Sequence, residues 1–346
     1  MRLQKTKAVG NILAKKLIAA TGNPEQIFKE KPVNLLKING IGTHVVNQLF
    51  DEKNKRLAIK EFEYISKYSV EFSYFLDEDY PRNLKHCIDA PILLFKEGNI
   101  NLNNQRIISI VGTRKMTSYG RGFCKELIAD LATFNPIIIS GFAYGVDICA
   151  HEQAIKNKLQ TIAVLAHGLD HIYPKVHKKY MHQLNEKGGF LTEFWHDEQP
   201  LREHFLQRNR IVAGISQATI VIESAEKGGS LVTADIANSY DRDVFALAGR
   251  ATDIYSKGCN NLIKNHKAAI LTTANDVAKM LNWDVPKVSK TKQHQLFVEM
   301  TVDEKKVHEY LLKSNKQSID IIGLDCNIPV YKLAPILLQM ELKGVI

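Results

Sequence analysis

Between residues 205 and 234 the chain reads FLQRNRIVAGISQATIVIESAEKGGSLVTA, and three chemistries meet there. Arg208, Asn209 and Arg210 form a short basic cluster, and Gly228, Gly229 and Ser230 form a small-residue turn that opens a helix-like segment. The apolar run 218–222 lies between them. A strand running into a small-residue turn at a helix N-terminus presents free backbone N–H groups, which suit phosphate or another anion. Guanidinium groups nearby add bidentate donors. Phe205 beside Arg208 and Arg210 adds a ring on which a base could stack while cations meet the backbone. The same three residues also fit a core phenylalanine and a salt-bridged arginine, and the pattern alone leaves both readings open.

A second set follows another apolar run, 107–111. Gly112, Thr113 and Arg114 come directly after it, with Tyr119-Gly120-Arg121-Gly122 about one helical turn later. In an open parallel sheet that loop lies at the carboxyl edge, where ligands bind. Thr113 and Arg114 could hold phosphate, or Gly112 could serve only a tight turn. The spacing is not GxGxxG and the next strand ends at Ser140 without an acid, which disfavours a dinucleotide site.

Other clusters carry blander expectations. Asp147 and His151, four apart, share a helix face, and a dipole-favouring carboxylate with a structural histidine is expected over an acid–base pair. His167, His171 and His177 surround Gly168 and Pro174, which break any helix that would align them, so no metal site is expected. Lys175, after that proline, is a candidate anion contact. Residues 35–42, LLKINGIG, resemble a helix-hairpin-helix turn, which serves phosphate contact or packing alone.

These residues need scaffolding. Apolar runs at 107–111, 137–139, 161–165, 218–222 and 244–248 alternate with helix-like segments, the pattern of a parallel sheet covered on both faces. Residues 1–66 have helical spacing, 67–283 form the α/β domain with 69–105 as a short extended lead-in, 284–302 read as a linker, and 303–346 return to three short helices. The chain has 346 residues and a net charge of +9, of which residues 1–66 contribute +6, from 12 Lys/Arg against 6 Asp/Glu. That excess favours an anionic partner. Five scattered cysteines without a Cys-x-x-Cys pair suit reduced thiols rather than disulfides or zinc. The N-terminus lacks signal-peptide character, and no apolar run approaches the ~18 residues of a membrane span. A cytoplasmic protein without a cofactor is expected.

In order along the chain, IVGTR (110–114), SYG (118–120), SGFAYGVD (140–147), AH (150–151), TIAVLAHGLDHIYP (161–174), FLQRNRIVAG and GGSLVTA resemble the DNA-processing protein A (DprA/Smf) family. The resemblance implies an extended Rossmann-like α/β domain that binds single-stranded DNA, a helical SAM/helix-hairpin-helix-like domain before it and a winged-helix-like module after it. It implies a homodimeric recombination mediator that protects incoming DNA in natural transformation. Its partners would be RecA, which it helps to load, and single-strand-binding protein. No reaction is implied. Arg114 and Arg208 would clamp phosphates, Asn209 and Arg210 would shape the pocket, residues 228–230 would complete it, and Phe205 would stack a base. Gly229 stands where the family has serine, Ala166 where it has glycine, and Phe142 where it often has leucine. Glu341-Leu342-Lys343-Gly344 comes so late that a truncated wing is expected. Only Lys332 and Lys343 lie on the recognition segment 329–343, which favours protein contact over duplex binding. The competing reading is a nucleoside monophosphate phosphoribohydrolase of the lysine-decarboxylase-like Rossmann group, with Asp235 as its acid. Leu231 and Val232 replace the Gly-Thr of that group's PGGxGTxxE pattern and would obstruct phosphate approach.

Overall fold

A computed structural model describes residues 1–102, 104, 106–283, 300–314 and 317–342. It divides into two compact units, Met1–Pro286 and Lys287–Ile346.

The first unit is built on nine strands: β1 (Glu71–Tyr74), β2 (Leu93–Gly98), β3 (Ile107–Val111), β4 (Ile137–Ser140), β5 (Thr161–Val164), β6 (Gly188–Thr192), β7 (Ala218–Val221), β8 (Asp243–Leu247) and β9 (Ala269–Leu271). They form one sheet in the order β1-β2-β6-β5-β4-β3-β7-β8-β9. From β6 to β9 neighbours run parallel. The central strands are buried along their length because core clusters cover both faces, which is why they read as continuous apolar runs. The few polar side chains inside are bonded: Ser109 Oγ lies 2.8 Å from Thr219 Oγ1, and Ser140 Oγ donates to the Ile110 carbonyl at 2.6 Å.

The sheet is mixed rather than wholly parallel. The segment expected as a lead-in supplies β1 and β2, which pair antiparallel with each other and onto β6. β6 itself begins Gly188-Gly189. Both residues have positive φ, and a Cβ would strike the Thr161 carbonyl from one and the Glu97 carbonyl from the other. These two glycines are what lets three strands meet.

Six helices precede β1: Arg2–Lys5, Asn11–Thr21, Pro24–Lys29, Pro32–Leu35, Thr43–Leu49 and Glu52–Tyr68. Asn23 caps the third through Gln26 N, with Pro24 at the first helical position, and Asp51 caps the last through Lys53 N. The chain turns between the fourth and fifth of these helices, with Gly40 at φ 90° and Ile41 buried. This segment is not set apart at residue 66, because its core continues into Ile92 and Leu93. Gln4 Nε2 also donates to the Glu193 carbonyl at 2.9 Å, and the Trp195 indole donates back to Gln4 Oε1 at 2.9 Å.

The second unit contains the three expected helices, Val302–Lys313, Ile319–Asp325 and Val330–Leu342, around Val307, Ile322, Leu333 and Met340. Thr301 and Glu304 form a capping box at the first. The expected linker lies, but for residues 300–302, outside the described residues, as do residues 343–346, where the wing is expected to be missing or truncated. Among the described residues no single helix is long and apolar enough to cross a membrane.

Candidate nucleic-acid interface

From β3 the chain moves through β4 and β5 to β6 on one side, then returns through β7, β8 and β9 on the other. The order therefore reverses between β3 and β7, and the loops after those strands diverge to leave a crevice at their carboxyl ends. A cavity of about 770 Å³ opens there. Gly112, Thr113, Arg114, Phe205, Arg208, Asn209, Gly228, Gly229 and Ser230 all line it.

The loop after β3 is fixed by its neighbours. Thr113 N donates to the Glu223 carbonyl at 2.7 Å, and Val146 N donates to the Thr113 carbonyl at 3.2 Å. A Cβ on Gly112 would lie 2.5 Å from Val146 Cγ2, and one on Gly145, whose φ is 78°, would collide with the Thr113 carbonyl. Only glycine fits at either place. Glu223, buried at the end of β7, accepts from Thr117 N at 2.8 Å and from Thr117 Oγ1 at 2.5 Å. Thr117 in turn caps the helix Ser118–Leu131.

Arg114 projects into solvent with its guanidinium carbon 5.3 Å from the Phe205 ring centre. Arg208 approaches the same ring at 6.0 Å, and Tyr173 meets it edge-on at 5.6 Å. Unlike Arg114, Arg208 is buried. Its Nη1 donates to the Val164 carbonyl, and it packs on Gly141, where a Cβ would stand 2.6 Å from Nη1. Burial pulls the Arg208 pKa down while the charge of Asp147 supports it. Burial likewise raises Asp147, which Arg208 and the Ala143 amide hold partly in check. Opposite them, Gly228 starts the helix Gly229–Ser239, which no side chain caps. Gly228, Gly229 and Ser230, at the end of the helix whose first N–H groups lack intrahelical acceptors, line the crevice. Asn209 Nδ2 donates to the Gly229 carbonyl at 3.3 Å, and Ser230 Oγ donates to Ser224 Oγ at 3.0 Å. A Cβ on Gly229 would meet nothing nearer than Asn209 Nδ2 at 4.0 Å, so a serine would fit there.

Two expected residues lie elsewhere. Arg210 is turned to the opposite side of its helix, where it pairs with buried Glu193 at 2.5 Å and donates to the Asp89 carbonyl. Lys175 is exposed at the start of the 3-10 turn Lys175–Tyr180, beyond the cavity's lining. Conversely, Lys115, Tyr173, Arg202 and Lys227 line the cavity although the sequence patterns did not single them out. Tyr173 sits in the turn that drew attention to Lys175. Glu223 had no distinguishing signal, being one acid after an apolar run.

The remaining clusters are structural. His151 is fully buried between Thr161 Oγ1 at 2.7 Å and the Gly141 carbonyl at 2.6 Å, and burial pushes its pKa down to about 4. It bonds to these groups rather than to Asp147. His167 bonds to the Gly168 carbonyl, His171 to the Asp197 carbonyl and His177 to the Phe142 carbonyl, so the three do not converge. Among the described residues a potential ligand cluster is formed by Glu61, His196 and Asp197, where Glu61 and His196 are hydrogen-bonded to each other at 2.5 Å. All five cysteines are free. Asp235, the acid of the hydrolase reading, is about half exposed, pairs with Lys267 at 2.9 Å and does not line the cavity.

Residues 71–282 match the sequence family described as DNA recombination-mediator protein A. The chain is 38% identical over 218 residues to DNA processing protein DprA of Streptococcus pneumoniae, covering 63% of this chain and 75% of that protein. It is 34% identical over 274 residues to Protein Smf of Escherichia coli, covering 77% and 72%. The X-ray structure of DNA processing protein A from Streptococcus pneumoniae superposes with a TM-score of 0.71 at 33% identity, over 80% of this chain and 95% of that one. A Helicobacter pylori DNA processing protein A structure, described as giving insight into its single-stranded DNA binding mode, superposes with a TM-score of 0.56 at 30% identity, over 62% and 98%.

Proposed function

This chain belongs to the DNA recombination-mediator protein A family, and from that premise we propose that its β3/β7 cavity holds the phosphates of single-stranded DNA with a base against Phe205. One observation carries this reading. Two guanidinium groups flank a single aromatic ring at 5.3 and 6.0 Å, facing an uncapped helix N-terminus across an open cavity. Arg114, exposed beside Phe205, supplies one phosphate contact. Arg208, bonded to Val164 and balanced by Asp147, supplies a fixed one. The N–H groups at 228–230, with Gly112, Thr113 and Asn209, complete the cradle. Arg210 is not part of it, and Lys175 would meet only a strand that extends past Tyr173.

The protein then acts as a cytoplasmic, homodimeric mediator that protects incoming strands and helps load RecA where single-strand-binding protein is displaced, with no reaction of its own. The helical segment serves as a SAM/helix-hairpin-helix-like domain and the C-terminal unit as a winged-helix-like protein-contact module. The hydrolase reading is weakened by Asp235, which faces Lys267 rather than the cavity.

Binding of a fluorescent oligonucleotide across a salt series tests the pocket. The double variant Arg114→Ala with Arg208→Ala should bind more weakly, with a salt slope flatter by about 1.4 for two lost phosphate contacts. Unchanged affinity would overturn the assignment. Nucleoside monophosphate turnover abolished by Asp235→Asn would establish the rival. The mediator role requires faster RecA filament formation on strands already coated with single-strand-binding protein.

A further inference from the structure

A second cavity, of about 970 Å³, opens at the carboxyl ends of β7 and β8, on the far side of the wall that Thr117 and Glu223 build. β7 lies between β3 and β8, parallel to both. The loops after those two flanking strands repeat one design. β3 ends at Val111 and an arginine follows three residues later; β8 ends at Leu247 and Arg250 follows three residues later. Each loop carries a glycine with no room for a Cβ, Gly112 against Val146 and Gly249 against Ser256. Arg114 and Arg250 are both exposed. With neighbouring strands about 4.8 Å apart, the two strand ends lie about 10 Å from one another, a reach of a few nucleotides.

The second cavity also has its own ring. Tyr119 is 52% exposed, yet its hydroxyl donates to the Ala248 carbonyl at 2.9 Å, so the face is offered to solvent from a fixed position. Such a tethered aromatic gives a stacking surface at little ordering cost. The loop beneath is equally held, through Ser224 N to the Tyr255 carbonyl at 2.7 Å and Asn260 Nδ2 to the Gly249 carbonyl at 3.0 Å. Asp253 is the exposed acid on this rim, while the carboxylate of Glu223 is engaged by Thr117.

We propose that a single strand leaving the β3/β7 cavity crosses the end of β7 into this second cavity, where Arg250 takes a phosphate and Tyr119 takes a base. This rests on reading the first cavity as a single-strand site. The test uses the full chain and oligothymidylates of about 4 and about 16 nucleotides, the range a single-strand-binding fold covers. Arg250→Ala and Tyr119→Leu should bind the short oligomer as wild type does and the long one about five- to tenfold more weakly, the loss of roughly one stacked base or phosphate. Arg250→Ala should also flatten the long oligomer's salt slope by about 0.7. Wild-type binding of the long oligomer by both variants would overturn the proposal, as would equal weakening at both lengths. Arg114→Ala, measured alongside, separates the two readings. If it loses affinity at both lengths while Arg250→Ala loses none, the first cavity stands and the second falls. If it loses none at either length, the first reading has failed.

Discussion

Arg208 and Arg210 stand two residues apart on the helix Arg202–Ile215, each buried and each set against an acid on another element. Arg208 shares its burial with Asp147 at the wall of an open cavity. Arg210 is paired with Glu193 and lines a different cavity, shared with Asn11, Lys16 and Gly40 of the N-terminal helical segment. Residues at i and i+2 of a helix point to different sides, so a basic triplet that looks like one site is divided between two. One arginine stands beside Phe205 and an uncapped helix N-terminus, and the other is committed to Glu193 and the Asp89 carbonyl. A buried cation is therefore not by itself a sign of a ligand; what it faces decides.

The largest effect should come from breaking the closed pair. Arg210→Ala leaves Glu193 buried without its partner and should cost about 3–5 kcal/mol by chemical denaturation. Replacing both, Arg210→Met with Glu193→Met, should restore most of that loss, and oligonucleotide affinity of the folded protein should stay at the wild-type level. A large loss of affinity in the folded double variant would show that the two faces are not separate.

On the cavity side the contrast can be sharpened with pH. His151, beneath Gly141, has a folded pKa near 4, below its ordinary value of about 6.5. A depressed pKa contributes stability that is complete above pH 6.5 and is lost as pH falls toward 4, on the order of 3 kcal/mol. Asp147, raised by burial, has the opposite sign: its contribution is present at low pH and is lost as pH rises through its elevated pKa. The difference between wild type and His151→Gln across this window isolates the histidine. A pH-independent difference would show that His151 does not titrate as a buried neutral ring. The smallest effect belongs to the exposed pair: Asp235→Asn should change stability by no more than about 0.5 kcal/mol and leave binding alone.

Much of this was legible beforehand. β3 and β7, and the core of β4, β5 and β8, announce themselves as continuous apolar runs because both faces are buried. β6 did not, because the crowding that demands Gly188 and Gly189 is tertiary and invisible in a local window. β9 is three residues at an edge with Ile270 half exposed, too short to show a period. In the site, loops tied to strand ends follow from sheet topology, which sets Gly112, Thr113 and Arg114 on the same cavity as residues 228–230. Lys115, Arg202 and Lys227 could not, since a surface cation carries no mark of which cavity it borders.

The interlock of Gly145 with the Thr113 carbonyl has a consequence for how the strand is captured. Because Val146 N is bonded to the Thr113 carbonyl and Thr113 N to the Glu223 carbonyl, the loop after β3 is held before any ligand arrives, and under the proposed function most of the conformational entropy surrendered on binding comes from the nucleic acid. Under the proposed function, strands that are already extended, under tension or lifted from a coating protein would dock faster and hold longer than relaxed coils of the same length.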